Sequence, residues 1–129
     1  SEKRQGLAFL GKTTHGTPVW TNRGFNQSDL KIVVGNIKLH QFVGFSGGVK
    51  TAAIGLAGLE TINYNHALMS HPDSQLGTYK TNPARQDIEE IGQMIGIVKA
   101  EEVEAVAGKQ RAVFLDLVKP VDIFRRFRN

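Results

Sequence analysis

The sequence predicts an α/β domain with a mostly parallel, Rossmann-like sheet and flanking helices, and three stretches carry that expectation. "LKIVVG", residues 30–35, is a short, nearly continuous apolar run rich in β-branched residues, the pattern of a strand buried on both faces of a parallel sheet. "NIKLHQFVGFSGG" follows without helical period and with three glycines. It predicts a loop at the strand's C-terminal end, outside any regular helix or hairpin, where open α/β sheets place their ligands. "NPARQDIEEIGQMIGI" predicts a helix: Asn82 caps it, Pro83 takes its first position, acidic residues come early, and Ile88, Ile91 and Ile95 share one face.

The remaining elements follow from shorter signals. Residues 49–57, rich in Ala, Ile and Leu, predict a helix that opens just after the glycine loop, with Ser46 or Gly47 near its start. "LETINYNHALM" predicts a second helix, separated by a break at Ala57-Gly58, and "RAVFLDLV", residues 111–118, predicts another strand. No internal repeat or low-complexity linker divides the chain.

Length and composition bound the function. The 129 residues, 40% hydrophobic and 22% charged, suit one soluble domain. There is no Cys, which excludes disulfides and thiolate metal sites, so a metal would need His, carboxylate or an added cofactor. No apolar run approaches a bilayer span and the N-terminus lacks a long apolar core, so a cytoplasmic protein without membrane contact is expected. Much of the net charge of +4 comes from the end, "KPVDIFRRFRN". Arg interleaved with Phe can stack on single strands, but no nucleic-acid motif accompanies it; a solvated tail and no nucleic-acid partner are expected.

The stretch "GFSGGVKT" nearly matches the phosphate loop G-x-x-x-x-G-K-[ST], with Val49 where the last glycine belongs. A β-branched residue is a poor substitute where backbone must curl round a phosphate. Phosphotransfer would also need a magnesium-binding carboxylate, for which Asp116 in "VFLDLV" is the candidate. The glycines still allow close backbone approach, and amides opening the next helix favour an anion. His40 lies ten residues before Lys50 and His66 sixteen after it, so an imidazole flanks the lysine loop on each side. Imidazole both binds metals and titrates near neutral pH.

These residues, "HQFVGFSGGVKTAAIGLAGLETINYNHALM" with "GTPVW" and "DLKIVVG" before it and "TNPARQDIEE" after it, resemble the nickel-dependent lactate racemase family over residues 10–97. The resemblance implies a 2-hydroxyacid racemase or epimerase that uses a nickel-pincer nucleotide. It implies that Lys50 is acylated by that cofactor through a thioamide bond, that His66 is the protein's nickel ligand, and that His40 is one of two histidines taking the substrate's hydroxyl proton while hydride passes to the pincer. Ser46, Gly47 and Gly48 would meet the cofactor phosphate with their backbone. The metal's sulfur ligands then arrive with the cofactor, which suits a Cys-free chain, and a helix N-terminus would lower the basicity of Lys50 so that it can act as a nucleophile.

The sequence also departs from that family. Its members are much longer, and their second catalytic histidine and substrate-binding arginine map upstream of Ser1. His15, in "GKTTHGTPVW", reads as a loop residue rather than the missing base, and the likeness fades beyond Ile97. The expectation is the central part of a cofactor-binding domain, incomplete as a catalyst alone. A non-catalytic α/β module that binds a nucleotide or a partner through the same loop is the alternative.

Overall fold

The structure, a computed structural model, describes residues 4–97 apart from Leu30 and Gly35. The expected strand at 111–118, with Asp116, and the basic tail lie outside the described residues.

The chain opens with an antiparallel pair, β1 (Leu7–Lys12) and β2 (Pro18–Asn22), in the register Leu7 to Asn22, Ala8 to Thr21 and Phe9 to Trp20. Thr13 closes the turn between them, its N–H donating to the Thr17 carbonyl at 3.0 Å. Asn22 then caps the short helix α1 (Arg23–Gln27), its side chain accepting from the Phe25 N–H. A minimal second pair follows, β3 (Leu39–His40) against β4 (Gly44–Phe45). Three α-helices, α2 (Val49–Ala53), α3 (Leu59–Ala67) and α4 (Pro83–Ile95), and a 3-10 turn over Leu68–Ser70 after α3 complete the described chain.

The capping signals of α4 match its structure. Asn82 accepts the Arg85 N–H at 3.0 Å, Pro83 occupies the first turn, and Gly96, at φ 86°, ends α4 in the left-handed conformation. Ile88, Ile91 and Ile95 are buried on one face, packed with Val19, Val43, Ala52, Ala53 and Ile54. The early acidic residues, however, do not serve the helix start. Asp87 and Glu89 are buried.

The sheet expectation is corrected. Both sheets among the described residues are two-stranded and antiparallel, so a parallel Rossmann-like sheet is not what the described chain forms. Residues 31–34 form no strand; Lys31 and Val33 are buried while Ile32 and Val34 are exposed, so the run is covered on one side only. Backbone of this kind becomes a strand only with a hydrogen-bonded neighbour, and among the described residues none pairs with it. The loop expectation is corrected as well: Gly44 and Phe45 form a hairpin with Leu39 and His40, and only residues 46–48 of the glycine stretch stay irregular. The helix expected over 49–57 stops at Ala53.

Val49 now has a physical role. It is the first residue of α2 and lies against Gly92 of α4, where a Cβ would strike its Cγ1. The residue that spoils the phosphate-loop pattern therefore locks the lysine-bearing helix onto α4. Gly92→Ala should lower stability by about 1–2 kcal/mol, because displacing a stiff β-branched side chain in a packed core outweighs the roughly 1 kcal/mol gain in helix propensity. A urea midpoint that stays put or rises would show that α2 yields without cost.

Candidate active site

The glycine stretch is shaped by what it touches. A Cβ at Gly44 would collide with the Thr78 carbonyl, and one at Gly47 would come within 2.5 Å of the Asn36 carbonyl. Both have φ 78°, so each position needs glycine twice over. Gly48, at φ 56°, has open space where a side chain would be. Ser46 faces inward to its neighbour, donating its N–H to the Lys38 carbonyl at 2.8 Å and exchanging contacts with Lys38 through its hydroxyl.

The hairpin brings His40 into the site. Its tip is held by Asn82, whose Nδ2 donates to the Phe42 carbonyl at 2.7 Å, so one side chain both caps α4 and fixes the hairpin. Phe42 stands between the two candidate imidazoles. Its ring is edge-on to His40 at 4.9 Å and edge-on to His66 at 5.3 Å between centroids. His66, near the end of α3, is placed by anchors on both sides of that helix. The Thr61 hydroxyl accepts from the Trp20 N–H at 2.9 Å and donates to the Pro18 carbonyl at 2.7 Å, while the Asn65 Nδ2 donates to the Ala84 carbonyl and to Asp87. Asp87 is fully buried and also accepts from the Thr13 and Thr17 hydroxyls, with His15 Nδ1 3.8 Å away.

Lys50, on the first turn of α2, is half-buried, and its amine is held less basic than usual by burial first and then by the Arg85 charge. A helix N-terminus is not the main cause, since α2 has only five residues. His40 is likewise held below the ordinary histidine value, by burial first, then by Lys50 and by His66. The three residues singled out in the sequence thus come from three elements to one place. His40 Nδ1 faces the Phe42 and Val43 N–H groups, each at the 3.5 Å limit of a hydrogen bond. With Nδ1 accepting, the neutral ring carries its proton on Nε2 and offers a donor; to act as a base it must release those two weak contacts.

Arg85, Glu89 and Asp87 were not legible as site residues, although signals existed. Arg85 and Glu89 stand four apart on α4, and Asp87 lies in register with Ile91 and Ile95, a charge placed within an apolar stripe. Among the described residues no three His, Asp or Glu side chains gather into a metal site. A surface groove of about 470 Å³, lined by Arg4, Trp20 and Leu59 among others, holds none of the three candidate residues. No helix among the described residues is long and apolar enough to cross a membrane.

The comparison with protein families decides the lineage: the lactate racemase N-terminal domain matches residues 1–77. The chain belongs to the lactate racemase N-terminal domain family. A lactate racemase of Thermoanaerobacterium thermosaccharolyticum is 29% identical over 90 residues, 68% of this chain and 21% of that protein. One from Lactiplantibacillus plantarum is 32% identical over 84 residues, 64% of this chain and 20% of that protein. The solved lactate racemase apoprotein of T. thermosaccharolyticum superposes with a TM-score of 0.68 at 27% identity, covering 70% of this chain and 22% of that one. The chain therefore spans about a fifth of the length of the curated relatives it matches.

Proposed function

We propose that this chain carries the cofactor-attachment and metal-binding part of a 2-hydroxyacid racemase or epimerase, with a nickel-pincer nucleotide joined to Lys50. The observation that carries the reading is that His40 and His66 meet edge-on at Phe42, with Lys50 near enough for its charge to act on His40 and its own protonation disfavoured by burial and Arg85. The donor set supports it too: a single imidazole beside a lysine is too little to hold nickel alone, and suits a cofactor that brings sulfur ligands of its own. When bound, that group supplies the remaining nickel ligands and an acceptor for hydride.

The protein's own part is proton handling and placement. A lysine attacks an acyl carbon only as the free amine, and burial with Arg85 nearby raises that fraction. Forming the linkage turns a cation into a neutral amide. Because Lys50 is one of the charges that depress His40, attachment should make His40 more basic, fitting it to take the hydroxyl proton of a 2-hydroxy acid near neutral pH. Gly48, with open space beside it, lets the backbone approach the nucleotide, and Gly47 shapes that turn. Ser46, whose backbone N–H donates to the Lys38 carbonyl, would need to release that bond before its backbone meets a phosphate.

The test separates the two histidines, in a protein of the relatives' full length that carries this sequence, with cofactor supplied. His66→Ala should keep the covalent adduct and lose most of the nickel by metal analysis. His40→Ala should keep adduct and nickel yet lose about 10²- to 10⁴-fold in racemisation rate, the range of general acid–base catalysis. If His40→Ala loses nickel while His66→Ala retains it, the two roles are reversed. If both keep metal and rate, this surface is not the catalytic one.

A further inference from the structure

α4 contributes more than a packing face. Arg85 is nearly buried, and its Nε and Nη2 bond Glu89 Oε1 at 2.9 and 2.7 Å while its Nη1 donates to the Phe45 carbonyl at 3.0 Å. Its guanidinium also lies over the Tyr79 ring, 5.1 Å from the centroid. A planar fork held on one side by a carboxylate and on another by an aromatic face has little freedom left. Its remaining bond reaches the residue just before the glycine turn. Val49, one residue before Lys50, is pinned to Gly92 on the same helix.

We propose that Arg85 is a positioning residue for the Lys50 loop: oriented by Glu89 and Tyr79, it fixes the loop backbone at Phe45 and sets a positive charge against the Lys50 amine. The inference deepens the reading of Lys50 as an attachment point and concerns residues that the resemblance did not assign. A cation beside an amine that must be free to react favours the free form, and the buried guanidinium of Arg85 supplies such a charge. Glu89 offsets part of it. Burial and Arg85 bear on the Lys50 amine; Arg85 is in turn partnered by Glu89 and Tyr79, and His40 on the hairpin lies within reach of the Lys50 charge.

The experiment acetylates the purified protein with N-hydroxysuccinimidyl acetate across a pH series and follows Lys50 by peptide mass, with the exposed Lys12 as internal reference. Arg85→Met should slow Lys50 acetylation roughly two- to fivefold at a fixed pH below the amine's titration and move its profile to higher pH. Glu89→Gln should do the opposite, since it leaves the guanidinium unneutralised, and Arg85→Lys should stay near the parent profile. Opposite shifts from the two neutralising changes support the proposal, because a loosened loop would move both variants the same way. Shifts of one sign, or a Lys50 profile unmoved by Arg85→Met, overturn it. If Arg85→Met does not fold, Glu89→Gln against Arg85→Lys still reads the sign. The probe needs no cofactor, so this outcome is distinct from whether Lys50 carries the pincer.

Discussion

Lys50→Ala should abolish covalent cofactor attachment altogether, leaving at most a nucleotide that dialysis removes. The loop offers no replacement nucleophile for an amide-type bond: Ser46 has a hydroxyl tied to Lys38, and the glycines have no side chain. Lys50→Arg is the informative control, since it retains the cation beside His40 but cannot act as a free amine at any working pH. Both variants should therefore lack the adduct, while Lys50→Ala alone should free His40 from the lysine's charge and raise its pKa. Intact mass reads the first effect and NMR titration of the His40 ring reads the second. An adduct retained in Lys50→Ala would place the linkage on another residue.

Asp87→Ala should be the most damaging change to the framework, costing about 3 kcal/mol or more. The Thr13 and Thr17 hydroxyls and the Asn65 amide all aim donors at this one buried carboxylate, and removing it strands several of them at about 1–3 kcal/mol each. Among the described residues the Asn65 oxygen has no partner, and without Asp87 its amide keeps only the Ala84 carbonyl. Asp87→Asn should cost less, because one oxygen still accepts. Urea denaturation measures the loss. Since Asn65 precedes His66, the damage should reach the site, and chemical shifts of His66 should move in Asp87→Asn even where the protein stays folded. A carboxylate whose removal costs under about 1 kcal/mol would not be the hub that its hydrogen bonds describe.

Local chemistry made the helices legible and tertiary context hid the rest. Asn82 and Pro83 mark the start of α4, and the Ala57-Gly58 break marks that of α3, because capping and backbone freedom act within a few residues. Residues 31–34 misled for the opposite reason. An apolar, β-branched run states what the segment tolerates, and whether it becomes a strand depends on a neighbour that no local pattern supplies. Gly44 shows the same limit: in the sequence it belongs to a loop expected to approach a ligand, yet it is the close approach to Thr78 that demands glycine inside a hairpin. At the site, His40, Lys50 and His66 could be singled out from their chemistry and order. Phe42 between the imidazoles, and Arg85 behind the loop, became visible only when distant segments met.

The most direct test of the central claim is the peptide-resolved mass of the protein after coexpression with the enzymes that make the pincer. Expected is a cofactor-sized mass increase confined to the peptide that contains Lys50, with nickel in proportion. A protein made under the same conditions with Lys50 unmodified, or with the added mass on Lys38 or any other lysine, would contradict it.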